Sequence, residues 1–341
     1  MQLLAGDIGG TKTTLALSRI EGGKINLLQK KRYTSNSYAS AEDLIGQYIK
    51  EEGIDPGSTV ISLGIAGTVT RGECHTTNLP WTVDESLLKE GFKFRQAKLL
   101  NDFKAIAYGI PLLQKEDIAL INKGYLDREG PIAIIGAGTG LGEGMAFFSQ
   151  SSKTYEVIPS EGGHSSFSPT NEEEIGLLKY LIAREGHVSF EKILSGQGLF
   201  NIYNYFAESG YAEKTEELTA RLSEGEPAAL ISEFGLSGKD SLSRRSLEMF
   251  VRIYGVEAGN LALKFLPSGG LYLAGGIAPK IIKLLQNGLF MEGFTGKGRL
   301  SGLLKNIPVY AILNEDVGLI GAAARGIMLF SNELENDAPR Q

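Results

Sequence analysis

Twice along this chain an apolar run breaks on glycine and resumes at once as a second apolar run. The first instance is "LLAGDIGGTKTTLALS", from Leu3 to Ser18, and the second is "PIAIIGAGTGLGEGMAFFSQ", from Pro131 to Gln150. The pattern fits a strand, a glycine turn and a second strand. It rules against the strand–turn–helix of a nucleotide fingerprint, and "GDIGGT" lacks Walker-A spacing. The two instances lie roughly one domain length apart. Two similarly built α/β domains are therefore expected, packed around a cleft with no low-complexity linker between them.

The 44 glycines sharpen this reading, because they gather at the ends of apolar runs: "GDIGGT", "LGIAGTV", "GAGTGLGEG", "SEGGH" and "GGLYLAGGIAP". Glycine at a strand end permits a sharp turn or a close approach to a ligand. One such cluster is usually a tight turn, whereas five suggest a site assembled from loops. Gly136, Gly138, Gly140, Gly142 and Gly144 alternate. Within one strand-like segment, that would strip a face of side chains.

Between these landmarks "SAEDLIGQYIKEEG" reads as an amphipathic helix, with Ser40 as cap and Gly53 after its end. "KINLLQKKRY", "STVISLGIAG", "QAKLLND", "TYEVIPS" and "IPVYAIL" read as strands. Helices dominate from Asn171 to Pro267. "DVGLIGAAARGIMLF" closes the chain as a helix, and "SNELENDAPRQ" is expected to fray.

Composition limits the partners. The net charge is −6 with a pI near 5.4, so neither nucleic acid nor an anionic membrane finds a basic stripe. Cys74 stands alone, which excludes an internal disulfide and a Cys-rich zinc site. "MQLLAGDIGG" carries no basic leader, and no apolar run is long enough to span a bilayer, so a cytoplasmic chain is expected.

A few polar side chains stand out against this background. A hairpin at "GDIGGT" can offer backbone N–H groups and the Thr11 hydroxyl to phosphate oxygens. Asp7 would repel phosphate directly but could hold the water ligands of Mg²⁺. "LLND" puts Asn101 and Asp102 where a strand runs into a helix, a place that suits a general base or only an N-cap. "SEGGH" sets Glu161 and His164 three residues apart in a glycine-rich loop. Glu191, in "SFEKIL", is by itself an ordinary helix acid.

In order, "GDIGGTKTTLAL", "LLNDFKAIAYGIPLL", "IIGAGTGLGEG", "PSEGGHSSFSP", "EGHVSFEKILSGQGL" and "LAGGIAPK" resemble the bacterial ATP-dependent glucokinases of the sugar-kinase, actin and heat-shock-chaperone superfamily. The resemblance runs from Gly6 to about Arg325. It implies two actin-like, ribonuclease H-like domains: residues 1–112 with 314–341, and residues 113–313. It implies transfer of the γ-phosphoryl group of ATP to the 6-hydroxyl of glucose, with Mg²⁺, in a cytoplasmic homodimer. Gly6, Asp7, Ile8, Gly9, Gly10 and Thr11 become the first phosphate loop, and Gly138, Thr139 and Gly140 the second. Gly275 and Gly276 become the adenosine loop. Asp102 becomes the base, and Asn101, Asp102, Glu161, His164 and Glu191 bind the sugar. Lys12 departs from the family, where Asn is more usual and where Lys marks repressor-related sugar kinases. Those carry a Cys-rich zinc motif after the histidine, and "HSSFSPTNEEE" has no cysteine. Competing readings are a kinase for another hexose or an N-acetylated amino sugar, and a non-catalytic ATP switch or sugar-sensing regulator.

Overall fold

The computed structural model describes residues 2–21, 24–76, 79–223 and 225–337. The chain divides into two compact units, Met1–Gln114 with Asn314–Gln341, and Lys115–Leu313.

The first unit is built on strands β1 (Gln2–Ile8), β2 (Lys12–Glu21), β3 (Lys24–Thr34), β4 (Thr59–Ile65), β5 (Gly67–Thr70), β6 (Glu73–Thr76), β7 (Thr82–Asp84) and β8 (Gln96–Asn101). Its main sheet runs in the order β3-β2-β1-β4-β8. The meander β1–β2–β3 is antiparallel, while β4 pairs in parallel with β1 and with β8. Side chains alternate between two buried faces, as a strand covered on both sides requires. Leu4, Ile8, Ile61 and Leu63 pack toward Leu44, Ile45 and Tyr48 of the helix Ala41–Glu52. Leu3, Ala5 and Val60 pack toward Leu319 and Ala323 of the helix Val317–Asp337. That first helix is bounded as its sequence implies. The Ser40 hydroxyl accepts from the Asp43 N–H, and Gly53 takes φ 61° after its last turn. Strands β5, β6 and β7 form a small separate sheet that the sequence did not announce, since runs of three or four residues are too short to show a period.

The second unit contains β9 (Ile118–Asn122), β10 (Ile132–Ala137), β11 (Leu141–Ser149), β12 (Thr154–Ser160), β13 (Leu271–Ala274) and β14 (Val309–Ile312). The sheet order is β12-β11-β10-β13-β14-β9. Again an antiparallel meander, β10–β11–β12, is followed by two strands parallel to its first member. The connectivity of the first unit is thus repeated, with β9 added antiparallel at the edge. The helix Ser241–Phe265 buries Leu247, Phe250, Tyr254, Ala258 and Leu261 in the core of this unit.

Two readings of the sequence need correction. The alternating glycines do not line one strand. They straddle a hairpin, with Gly136 opposite Gly142 and the turn at Gly138–Gly140 between β10 and β11. The closing helix also does not stop at Phe330, because Ser331–Asp337 continue it. Residues 338–341 lie outside the described residues. Among the described residues no helix is long and apolar enough to cross a membrane.

Candidate active site

In the first unit the glycine turn between β1 and β2 is closed by the Gly9 N–H donating to the Lys12 carbonyl at 3.0 Å. Ser35, just past the end of β3, braces it from behind. Its hydroxyl donates to the Gly9 carbonyl at 2.8 Å and lies 3.0 Å from the Thr13 hydroxyl. Nothing in the sequence marked Ser35. Thr11 and Lys12 are exposed, whereas Gly6 and Ile8 are buried. A Cβ on Gly6 would run into Leu63 and Leu15, so this glycine serves packing between strands.

Asp7 is half-buried, and its environment is acidic. Burial, then Asp102 and Asp316, push its carboxyl up to about 7, against a smaller opposing pull from Arg32. A Cβ placed on Gly318, in the first turn of the closing helix, would sit 3.7 Å from the Asp7 carboxyl carbon. Sequence inspection missed Asp316, although an acid just ahead of an apolar helix was a visible signal. Its carboxylate is held by Lys30 at 2.6 Å.

Asn101 and Asp102 meet at the end of β8. The helix cap is Asn101 and not Asp102: the Asn101 Oδ1 accepts from the Phe103 and Lys104 N–H groups at 3.0 and 3.3 Å. Its amide donates to the Gly67 carbonyl at 3.1 Å and to Asp102 Oδ1 at 2.9 Å. The Phe103 N–H also donates to Asp102 Oδ1 at 2.9 Å. Asn101 thus orients Asp102 and closes the helix. Behind Asp102 lies buried Cys74, whose thiol burial and Asp102 push up to about 11, leaving it protonated at neutral pH.

In the second unit the Gly138–Gly140 turn closes through the Gly138 N–H donating to the Gly140 carbonyl at 2.8 Å. The Gly138 carbonyl accepts from the Gly196 N–H at 2.9 Å, where the helix Gly196–Glu208 begins. Glu191, on the single turn Phe190–Lys192, reaches the same hairpin, and its Oε2 accepts from the Leu141 N–H at 2.9 Å. That carboxylate lies where a side chain on Gly140 would go. Thr139 sits at the tip, between the two glycines. Gly275 follows β13 at φ 82° with a carbonyl of β10, that of Ala137, pressed against it, so only glycine fits on both counts. Next to it, Gly276 faces open space.

Glu161 precedes the short turn Gly162–His164 and His164 ends it, and both are exposed. The His164 Nδ1 lies 3.9 Å from Glu191 Oε1, so two of the three sugar-binding candidates of this unit are neighbours. Beneath the turn lies a residue the sequence reading passed over. The buried carboxyl of Glu143, on β11, occupies the space where a side chain on Gly162 would stand.

The repeated sheet order and the glycine hairpins of both units can be set beside known proteins. A solved glucokinase from an Antarctic psychrotroph superposes with a TM-score of 0.81 at 30% identity, covering 96% of this chain and 99% of that one. A ROK-family glucokinase from Streptomyces griseus, solved in complex with glucose and AMPPNP, gives a TM-score of 0.66 at 21% identity, covering 96% of this chain and 100% of that one. This second likeness speaks for the fold alone. The fold is thus the two-domain actin-like one of sugar kinases. A family model described as Glucokinase matches residues 4–327, and the glucokinase of Nostoc punctiforme is 42% identical over 335 residues, 94% of this chain and 97% of that protein. The chain belongs to the glucokinase family, and it is a sugar kinase.

Proposed function

We propose that this chain transfers the γ-phosphoryl group of ATP to O6 of glucose, with Asp102 as the base that takes the hydroxyl proton. The carrying observation is the Asp102 carboxyl, whose Oδ1 accepts from the Asn101 amide and the Phe103 N–H at the head of a helix. A carboxylate so oriented can accept an alcohol proton as its oxygen attacks. We assign sugar hydroxyls to Asn101, Asp102, Glu161, His164 and Glu191. The turn Gly6–Thr11 and the loop Gly138–Gly140 take the phosphates, and Gly275 and Gly276 the adenosine. The ligands in the Streptomyces griseus complex, glucose and an ATP analogue, support this choice of substrates.

The donor set around Asp7 suits Mg²⁺. Asp7, Asp102 and Asp316 concentrate negative charge in the first unit. Among the described residues no three acids or histidines converge as direct ligands, which favours contact through the ion's waters. Bound there, the ion would offset charge on the phosphates. Asp7 would orient its water shell, and Asp102 would take the proton of the sugar hydroxyl.

A coupled assay with ATP across glucose, mannose, fructose and N-acetylated amino sugars tests the substrate. Glucose should give the highest kcat/KM, and a tenfold preference for another sugar would overturn the reading. We also place the protein in the cytoplasm as a homodimer, on the strength of its family. Light scattering at micromolar concentration should return about twice the 36.7 kDa chain mass, and a lone 36.7 kDa species would refute the dimer. Recovery of the activity with membranes on cell fractionation would count against the location.

A further inference from the structure

Two glutamates of the second unit are buried against each other, and the one lysine that approaches the pair as an ion-pair partner among the described residues, Lys264, is half in solvent. Glu143, on β11, is 2% exposed, and Glu257, within the helix Ser241–Phe265, is 0% exposed. Each leaves its Oε1 without a hydrogen-bond partner. The other oxygens are placed. Glu257 Oε2 accepts from the Asn260 amide at 2.8 Å, and Glu143 Oε2 lies against the Cα of Gly162.

The surrounding charges do not cancel two carboxylates. Lys264, on the same helix as Glu257, approaches Glu257 Oε1 only to 3.8 Å, and half of its side chain is in solvent. Lys297 follows the helix Leu289–Thr295 and donates instead to the Val256 carbonyl at 3.0 Å and Asn260 Oδ1 at 2.5 Å. Burial lowers its pKa. Tyr254, one turn before Glu257, is committed to the Ile135 carbonyl at 3.1 Å. On β12, Ser160 stands opposite Glu143 and accepts from the Gly162 N–H at 3.0 Å.

We propose that Glu143 and Glu257 share a single proton between their inward oxygens, and that this acid pair sets the position of the Glu161–His164 turn. A shared proton satisfies both orphaned oxygens at once and leaves one negative charge, which Lys264 faces. Losing it puts two like charges in one buried space. Glu257 is fixed in the middle of a long helix, whereas Glu143 abuts a three-residue surface turn, so the turn is the part that yields. Burial, then repulsion from Glu257, push the Glu143 carboxyl up to about 8. The folded pair therefore keeps a proton that an unfolded glutamate releases near pH 4.3. Stability contributed by this pair is lost as pH rises toward 8. Glu143 is a positioning residue, and its consequence for sugar rests on the assignment of Glu161 and His164 above.

Amide NMR of the whole chain without sugar tests the pair directly. The Gly163, His164 and Ser165 amide shifts should move together with a midpoint near pH 8 in the wild type. In Glu143→Gln, whose amide can donate to Glu257 without titrating, that step should vanish. Glu257→Gln should behave alike and serves if the first variant does not fold. Shifts flat between pH 7 and 9 in the wild type, or an unchanged step in a folded variant, overturn the proposal. The consequence is read separately. The glucose KM of the wild type should rise at least about threefold across that step with kcat steady, and Glu143→Gln should level it. Titrating amides with a level glucose KM would count against the sugar assignment of the turn and leave the proton pair standing.

Discussion

Asp102→Asn should lower kcat by at least about 100-fold while sugar binding weakens far less, the range that loss of a general base typically produces. The asparagine keeps the size of the side chain and an oxygen for the Asn101 amide and the Phe103 N–H, which now meet Asp102 Oδ1. It cannot take the O6 proton. Folding is spared for a specific reason. The cap of the helix Asp102–Gly109 is the Asn101 side chain, so the substitution leaves the capping bonds in place. Steady-state kinetics with a thermal melt as control decides the matter. Near-wild-type turnover in a folded variant would remove Asp102 from the proton transfer.

Asp7→Asn should pull activity and stability in opposite directions. In the free protein Asp7 is crowded by burial and by two acids, and its carboxyl sits near 7, well above an ordinary aspartate. Between about pH 4 and pH 7 the folded state therefore holds a proton that the unfolded chain has released. Stability falls through that window as pH rises, and no further loss from this group follows above it. Asparagine carries no such charge. The variant should melt higher than the wild type, with a gap that opens above pH 4, widens to pH 7 and then levels. Because Asp7 is only half-buried, solvent screening trims the effect to about 1 kcal/mol, or roughly 1–2 °C at pH 8 for a chain of 341 residues. Turnover with MgATP should fall at least about 100-fold, since the amide no longer attracts the hydrated ion. Equal or lower melting at pH 8 would show that Asp7 is not strained by its neighbours. Unaltered turnover would move the ion elsewhere.

Much of the scaffold could be read from neighbours along the chain. The Ser40 cap, the Gly53 stop and the two apolar–glycine–apolar hairpins depend on bonds spanning a few residues, and local rules describe such bonds well. The alternation of Gly136 to Gly144 was seen but misplaced, because a two-residue period continues through a tight turn while the strand does not. At "LLND" the sequence pointed to the acid, Asp102, as a possible cap, whereas the cap is Asn101. Either side chain can reach the first amides of the helix, and the bond from Asn101 to the Gly67 carbonyl, 34 residues away, settles its orientation.

By itself the sequence determined the repeated meander, the glycine turns, the strand end just ahead of Asp102, and membership of the glucokinase family. Only the tertiary structure decided which acids feel one another. Asp7 meets the fields of Asp102 and Asp316, and Glu143 is buried against Glu257, across separations that no periodicity records. The physical reason is that a carboxylate's behaviour depends on the water it loses and the charges it meets. Both are set by how sheet and helix pack, and packing joins residues a hundred or more positions apart.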